Sequence, residues 1–109
     1  MKNLQEELDP IYPDLEMCYV SALKSDAGGQ QQNFHSDFAV FDYVRFAGVI
    51  SYDKDTTLEI QEIGNYRRTI QLLAGHAIIF RGDLFHAGSA YEKENRRMYF
   101  KAIPKGCAL

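Results

Sequence analysis

YRRTIQLLAGHAIIFRGDLFHAGSAYEKENRRMYFKAI, from Tyr66 to Ile103, holds a run of short stretches rich in Ile, Leu, Phe and Tyr, broken only by Gly75, the RGD turn at 81–83 and the polar EKEN at 92–95. Parallel neighbours in a sheet need a crossover of a dozen or more residues, usually a helix, and these breaks are far too short for one. The stretch therefore reads as consecutive antiparallel strands.

Working outward, the same texture continues upstream. TLEIQEI follows the charged turn DKDT, VFDYVRFAGVISY precedes it, and QNFHSDF and EMCYVSALK come earlier, separated by the turn-like SDAGG. The count is about eight strands with no repeated unit, which predicts an all-β antiparallel sandwich or a barrel of jelly-roll kind. Only NLQEELDPIYP has helical character: Asn3 can cap it, Glu6 takes the capping-box position, and Leu4, Leu8 and Ile11 form one apolar side before Pro10 and Pro13 stop the pattern.

Length and composition bound the rest. The chain has 109 residues, 46% hydrophobic and 25% charged, which suits one folded domain over residues 1–109. A net charge of −3 without a dense basic stripe gives no electrostatic basis for binding nucleic acid. No apolar run approaches the length of a membrane span, and MKNLQEEL lacks the apolar stretch of a signal peptide, so a soluble, cytoplasmic protein is expected. Cys18 and Cys107 stand far apart, without the spacing of a disulfide framework or a zinc knuckle.

Chemistry enters with FHSDF. Residues i and i+2 of a strand share a face, so His35 and Asp37 can converge on one ion. His86, just after the RGD turn, supplies a third donor, and two imidazoles with one carboxylate make the facial triad typical of non-haem Fe(II). His76, in the turn LAGHAI, reads as solvent-exposed or backbone-bonded. In RRMYFKAI, alternation sends Arg96, Met98, Phe100 and Ala102 to one face and Arg97, Tyr99, Lys101 and Ile103 to the other. The first face is the more apolar, so it is expected to turn inward and carry Arg96 with it. There Arg96 either grips a ligand carboxylate or sits at the barrel mouth, paired with Glu92 or Glu94 or snorkelling to water.

HSD, about fifty residues, GDLFH and an arginine ten positions further on together resemble the HxD…H…R signature of the Fe(II)- and 2-oxoglutarate-dependent dioxygenases. SALKSDAGGQQQNFHSDF is most similar to their small prolyl-hydroxylase-like and phytanoyl-CoA-hydroxylase-like members. The resemblance implies a double-stranded β-helix, a cupin-like jelly-roll. It implies His35, Asp37 and His86 as metal ligands and Arg96 as the grip on 2-oxoglutarate, helped by a tyrosine, of which Tyr43 is the first choice over Tyr19 and Tyr52. The activity it implies is hydroxylation of a C–H bond in a small-molecule or peptidyl substrate, coupled to decarboxylation of 2-oxoglutarate to succinate. Two other readings fit the residues: a cupin-like metal enzyme without 2-oxoglutarate, and a non-catalytic jelly-roll whose histidines are structural. Gln30, Gln31 and Gln32 are placed at the substrate entrance or in a solvated loop. With a single short helix to cover one sheet, exposed apolar surface and a homodimer are expected.

Overall fold

The computed structural model describes residues 4–38, 45–62 and 64–106. Among these residues one short helix, α1 (Leu4–Leu8), precedes seven strands: β1 (Leu15–Ser25), β2 (Phe46–Ser51), β3 (Thr56–Glu62), β4 (Tyr66–Leu72), β5 (Ala77–Arg81), β6 (Phe85–Gly88) and β7 (Asn95–Pro104). They form two antiparallel sheets, one ordered β1-β7-β2-β5 and the other β4-β3-β6. This is the all-β, cupin-like jelly-roll expected from the sequence. The expected helix over 3–13 shortens to five residues, and Asn3 lies outside the described residues.

Alternation explains the layers. Thr56, Leu58 and Ile60 of β3 are buried while the residues between them are less so. From the facing sheet, Ala47 and Phe80 join Leu58 and Ile60 in the main core, with Ile70, Ile78, Leu84 and Tyr99 packed around it. Burying such side chains contributes about 1.5–3 kcal/mol each. A second cluster, Leu8, Leu15 and Ala102 with Met17, Phe46 and Ile79, lies on the other side of the four-stranded sheet, beneath α1. That sheet therefore buries apolar side chains on both faces.

The double burial corrects the expected orientation of β7. Phe100 and Ala102 face α1, and Gly48 is opposite Phe100 on β2 because nothing larger fits: a Cβ there would stand 2.2 Å from the Phe100 ring and 2.5 Å from the Ile78 carbonyl oxygen. Arg97, Tyr99 and Lys101 face the space between the sheets.

The expected strand QNFHSDF is also reduced. It runs beside β6, held at three points: Gln32 N–H donates to the Gly88 carbonyl, His35 and His86 exchange both backbone bonds at 2.9 Å, and Phe38 N–H donates to the Gly82 carbonyl. One bridge, His35 to His86, is all the ladder it forms. The bonds on either side of the bridge fall one residue out of its register, so the ladder does not propagate.

Candidate metal centre

The bridge between His35 and His86 sets the two imidazoles side by side, with ring centroids 4.5 Å apart. Asp37, two residues on, points its carboxylate between them. His35 Nε2 is 3.6 Å from Asp37 Oδ1, and His86 Nε2 is 3.2 Å from Asp37 Oδ2. One donor atom from each of the three residues falls within 4.8 Å of the others. Donors bound at right angles, at about 2.1 Å from an ion, stand about 3.0 Å apart, so the constellation has the size of a coordination site.

Each histidine is aimed by its own backbone. His35 Nδ1 is 2.9 Å from the Asn33 carbonyl oxygen, and His86 Nδ1 is 2.9 Å from that of Leu84. A carbonyl can only accept, so Nδ1 carries the proton in both rings and Nε2 keeps its lone pair for a metal. The Phe80 ring, 4.8 Å from that of His86, fixes the plane of the buried imidazole.

The electrostatics concentrate on Asp37. Burial opposes its charge, but the neighbouring His86, then Tyr99 and His35, outweigh it and hold the carboxyl below its ordinary range. Burial likewise opposes a charge on His86, yet the Asp37 carboxylate and the Leu84 carbonyl raise its pKa above the usual imidazole value. Burial, followed by the Asp37 charge, pushes the Tyr99 hydroxyl well up. Asp37 Oδ2 and the Tyr99 hydroxyl are buried, and neither makes a well-formed hydrogen bond among the described residues. A cation beside Oδ2 satisfies the first of these orphans, so the donor set fits a divalent metal.

The cleft around the triad has a volume of about 320 Å³ and is lined by Tyr19, Gln32, Arg97, Tyr99 and Lys101 as well as the three donors. The reversed face of β7 decides which arginine enters it. Arg96 is exposed on the outside, 3.3 Å from Asp53 Oδ1, and its backbone N–H donates to Asp53 Oδ2 at 2.7 Å. Neither Glu92 nor Glu94 is the near partner that the sequence suggested. Arg97 is only 8% exposed; its guanidinium donates to Asn95 Oδ1 at 3.2 Å and lies 5.2 Å from the centre of the Tyr91 ring. Among the described residues no carboxylate lies within ion-pair distance of it.

Of the candidate tyrosines, Tyr19 lines the cleft, Tyr52 is 59% exposed, and Tyr43 lies outside the described residues. Gln32 does more than fill a loop, since its side-chain oxygen accepts the Gly88 N–H at 2.9 Å and ties the entrance segment to β6. His76 sits in the turn between β4 and β5, where its carbonyl accepts the Ser51 N–H, away from the triad. Sequence reasoning missed Arg97, Tyr99 and Lys101 as site residues. Their signal was the i, i+2, i+4 spacing of three polar side chains on one face of β7.

The fold is shared with solved structures. A prolyl-4-hydroxylase from Pseudomonas putida matches with a TM-score of 0.69 and 13% identity over 94% of this chain and 60% of that one. An oxidoreductase of the 2OG-Fe(II) oxygenase family from Burkholderia pseudomallei matches with a TM-score of 0.67 and 13% identity over 82% of this chain and 45% of its own. A cupin domain from Bordetella pertussis matches with a TM-score of 0.55 and 15% identity over 80% and 82%. The chain thus spans no more than 60% of either oxygenase. No family model matches the sequence, and no curated protein matches it. At these identities the likeness establishes the fold: a jelly-roll of the kind found in 2-oxoglutarate oxygenases and cupins.

Among the described residues no helix is long and apolar enough to cross a membrane.

Proposed function

We propose that this domain is an Fe(II)- and 2-oxoglutarate-dependent oxygenase that hydroxylates a C–H bond, with His35, Asp37 and His86 as the metal ligands. The observation that carries the reading is Arg97. A buried guanidinium without an anionic partner costs several kcal/mol; Arg97 has none among the described residues, and it lines the same cleft as a facial triad. A cosubstrate carboxylate supplies the missing partner in the bidentate geometry a guanidinium favours. A metal-only cupin chemistry leaves that cation unexplained.

A bound metal with 2-oxoglutarate and O2 would supply the oxidising power, one atom of O2 entering the substrate C–H bond and the other entering the succinate that forms as 2-oxoglutarate loses CO2. The chain's own residues bind and orient. His35 and His86 present Nε2 because their Nδ1–H groups are held by backbone carbonyls. Asp37 offers a carboxylate that its neighbours keep ionised. Tyr99, held neutral, is a hydrogen-bond donor inside the cleft and leaves the charge there to the metal ligands. Arg97 fixes the far end of the cosubstrate, and Asn95, buried and donating to Thr56 Oγ1 at 3.0 Å, fixes Arg97.

Calorimetric titration of the protein with Mn(II), a redox-silent substitute for Fe(II), and then with 2-oxoglutarate tests the proposal. One metal per chain followed by metal-dependent 2-oxoglutarate binding is expected. Metal binding without any affinity for 2-oxoglutarate transfers the domain to the cupin reading, and absence of both transfers it to the non-catalytic one.

A further inference from the structure

β7 sends two cations into the cleft, and the cosubstrate uses one. Arg97 and Lys101 lie on the same face four residues apart, with Tyr99 between them, so their Cα atoms are separated by about 13 Å at the usual strand rise. Tyr99 stands beside Asp37, which places the triad between the two cations rather than at one end. The charged heads follow the same division: the Lys101 ammonium lies against Tyr19 and Phe38 and the Arg97 guanidinium against Asn95 and Tyr91, so a five-carbon diacid only about 5 Å long that also reaches the metal is assigned to one of them.

Lys101 makes no ion pair or side-chain hydrogen bond among the described residues. Its Nζ is instead 5.7 Å from the centre of the Tyr19 ring and 5.3 Å from that of Phe38. Among the described residues Asp37 is the only carboxylate lining the cleft. With a divalent metal and a dianionic cosubstrate both seated, one positive charge is left over. The two cations also differ in setting. Arg97 is buried and has a planar fork suited to a carboxylate held out of water, whereas Lys101 is half-buried between aromatic walls, with a compact charge.

We propose that the primary substrate is a small organic anion with an apolar body, its charged group held by Lys101 and its apolar part against Tyr19 and Phe38. The inference rests on the oxygenase reading, because it assigns to the substrate the cation that 2-oxoglutarate does not use.

Hexanoate and hexanamide, matched in length and differing in charge, probe it. Protein loaded with Mn(II) and saturated with 2-oxoglutarate should bind hexanoate at least tenfold more tightly than hexanamide. Lys101→Met should abolish that preference and leave 2-oxoglutarate affinity within about twofold, while Arg97→Met should lose 2-oxoglutarate. Equal affinity for the two probes, or no hexanoate binding in the millimolar range, overturns the inference. So does a loss of 2-oxoglutarate in Lys101→Met as large as in Arg97→Met, since both cations would then serve the cosubstrate. Failure of the unaltered protein to bind 2-oxoglutarate is seen in the first titration and overturns the oxygenase reading along with this one. Lys101→Gln repeats the test if the methionine variant does not fold, and the comparison of probes on the unaltered protein decides independently of either variant.

Discussion

The two faces of β7 carry opposite chemistry one residue apart. On the outer face, Phe100 and Ala102 lie in the apolar layer beneath α1, and Arg96 ends the row in water beside Asp53. On the inner face, Arg97, Tyr99 and Lys101 line the cleft that holds His35, Asp37 and His86. In a strand buried on both sides, the more apolar face need not be the one that faces the site. A cleft that binds a metal and anions must be lined with polar groups, while a face capped by a helix can be wholly apolar.

The sharpest way to break this contrast is to remove a ligand from the inner side. His86→Ala should lower the affinity for Mn(II) by at least about 100-fold, a loss beyond the 10–100-fold typical of merely supporting groups. Equilibrium dialysis measures it. An equal loss from a substitution on the outer face, at Asp53 for instance, would mean that the protein has no localised metal site.

How much of this was legible in the sequence follows from the same strand. Five of the strands, β1, β3, β4, β5 and β7, begin and end within a residue of the stretches read from alternation and turn residues; β6 stops at Gly88, three residues before the end of LFHAGSAY, and β2 starts at Phe46, well inside VFDYVRFAGVISY, whose residues 40–44 lie outside the described residues. The convergence of His35 with Asp37 followed from i, i+2 spacing, and the pairing of that segment with His86 gives the third donor its place. QNFHSDF was readable as extended, but its reduction to one bridge was not, because register is set with the partner strand and not by local propensity. The burial of an unpaired arginine was also readable in kind. Its identity was displaced by one residue, because the apolar side of RRMYFKAI was assigned to the barrel interior when α1 was already available to cover it. Tyr99 and Lys101 were lost through the same one-residue slip.

On the outer face the largest effect belongs to Gly48. Gly48→Ala puts a methyl group against Phe100 and the Ile78 carbonyl oxygen, and the second of these is backbone that cannot rotate away. Unfolding in urea should show a loss of about 1–3 kcal/mol, as overpacked sites do. The folded fraction should keep its metal affinity, because the glycine packs on the side away from the triad. Loss of metal binding by folded protein would show that the two faces are mechanically coupled.

Arg97 and Arg96 make the direct comparison. Arg97→Met keeps much of the side chain's length and removes its charge, and should weaken 2-oxoglutarate binding to the Mn(II) protein at least tenfold, or about 1.4 kcal/mol. Arg96→Met should change it less than twofold. A reversal of the two results would restore the inward placement of Arg96 first expected from the sequence and would require β7 to shift its register by one residue.

The smallest effect is predicted for the pair that the outer face offers to water. Arg96 and Asp53 are joined by a backbone hydrogen bond and a side-chain contact, and the guanidinium holds the Asp53 carboxyl below its ordinary range. Arg96 is exposed and Asp53 partly so, which lets water and salt screen the charge between them, and surface pairs of this kind contribute little. Asp53→Asn keeps an oxygen able to accept the Arg96 N–H and removes only the charge. The melting temperature should therefore stay within measurement error of the unaltered protein at neutral pH, in low and high salt alike, with metal and 2-oxoglutarate affinities unchanged. A clear fall in stability that grows at low ionic strength would show that the outer arginine carries structural charge after all, and the contrast between the two faces of β7 would then lie in partner choice and not in exposure.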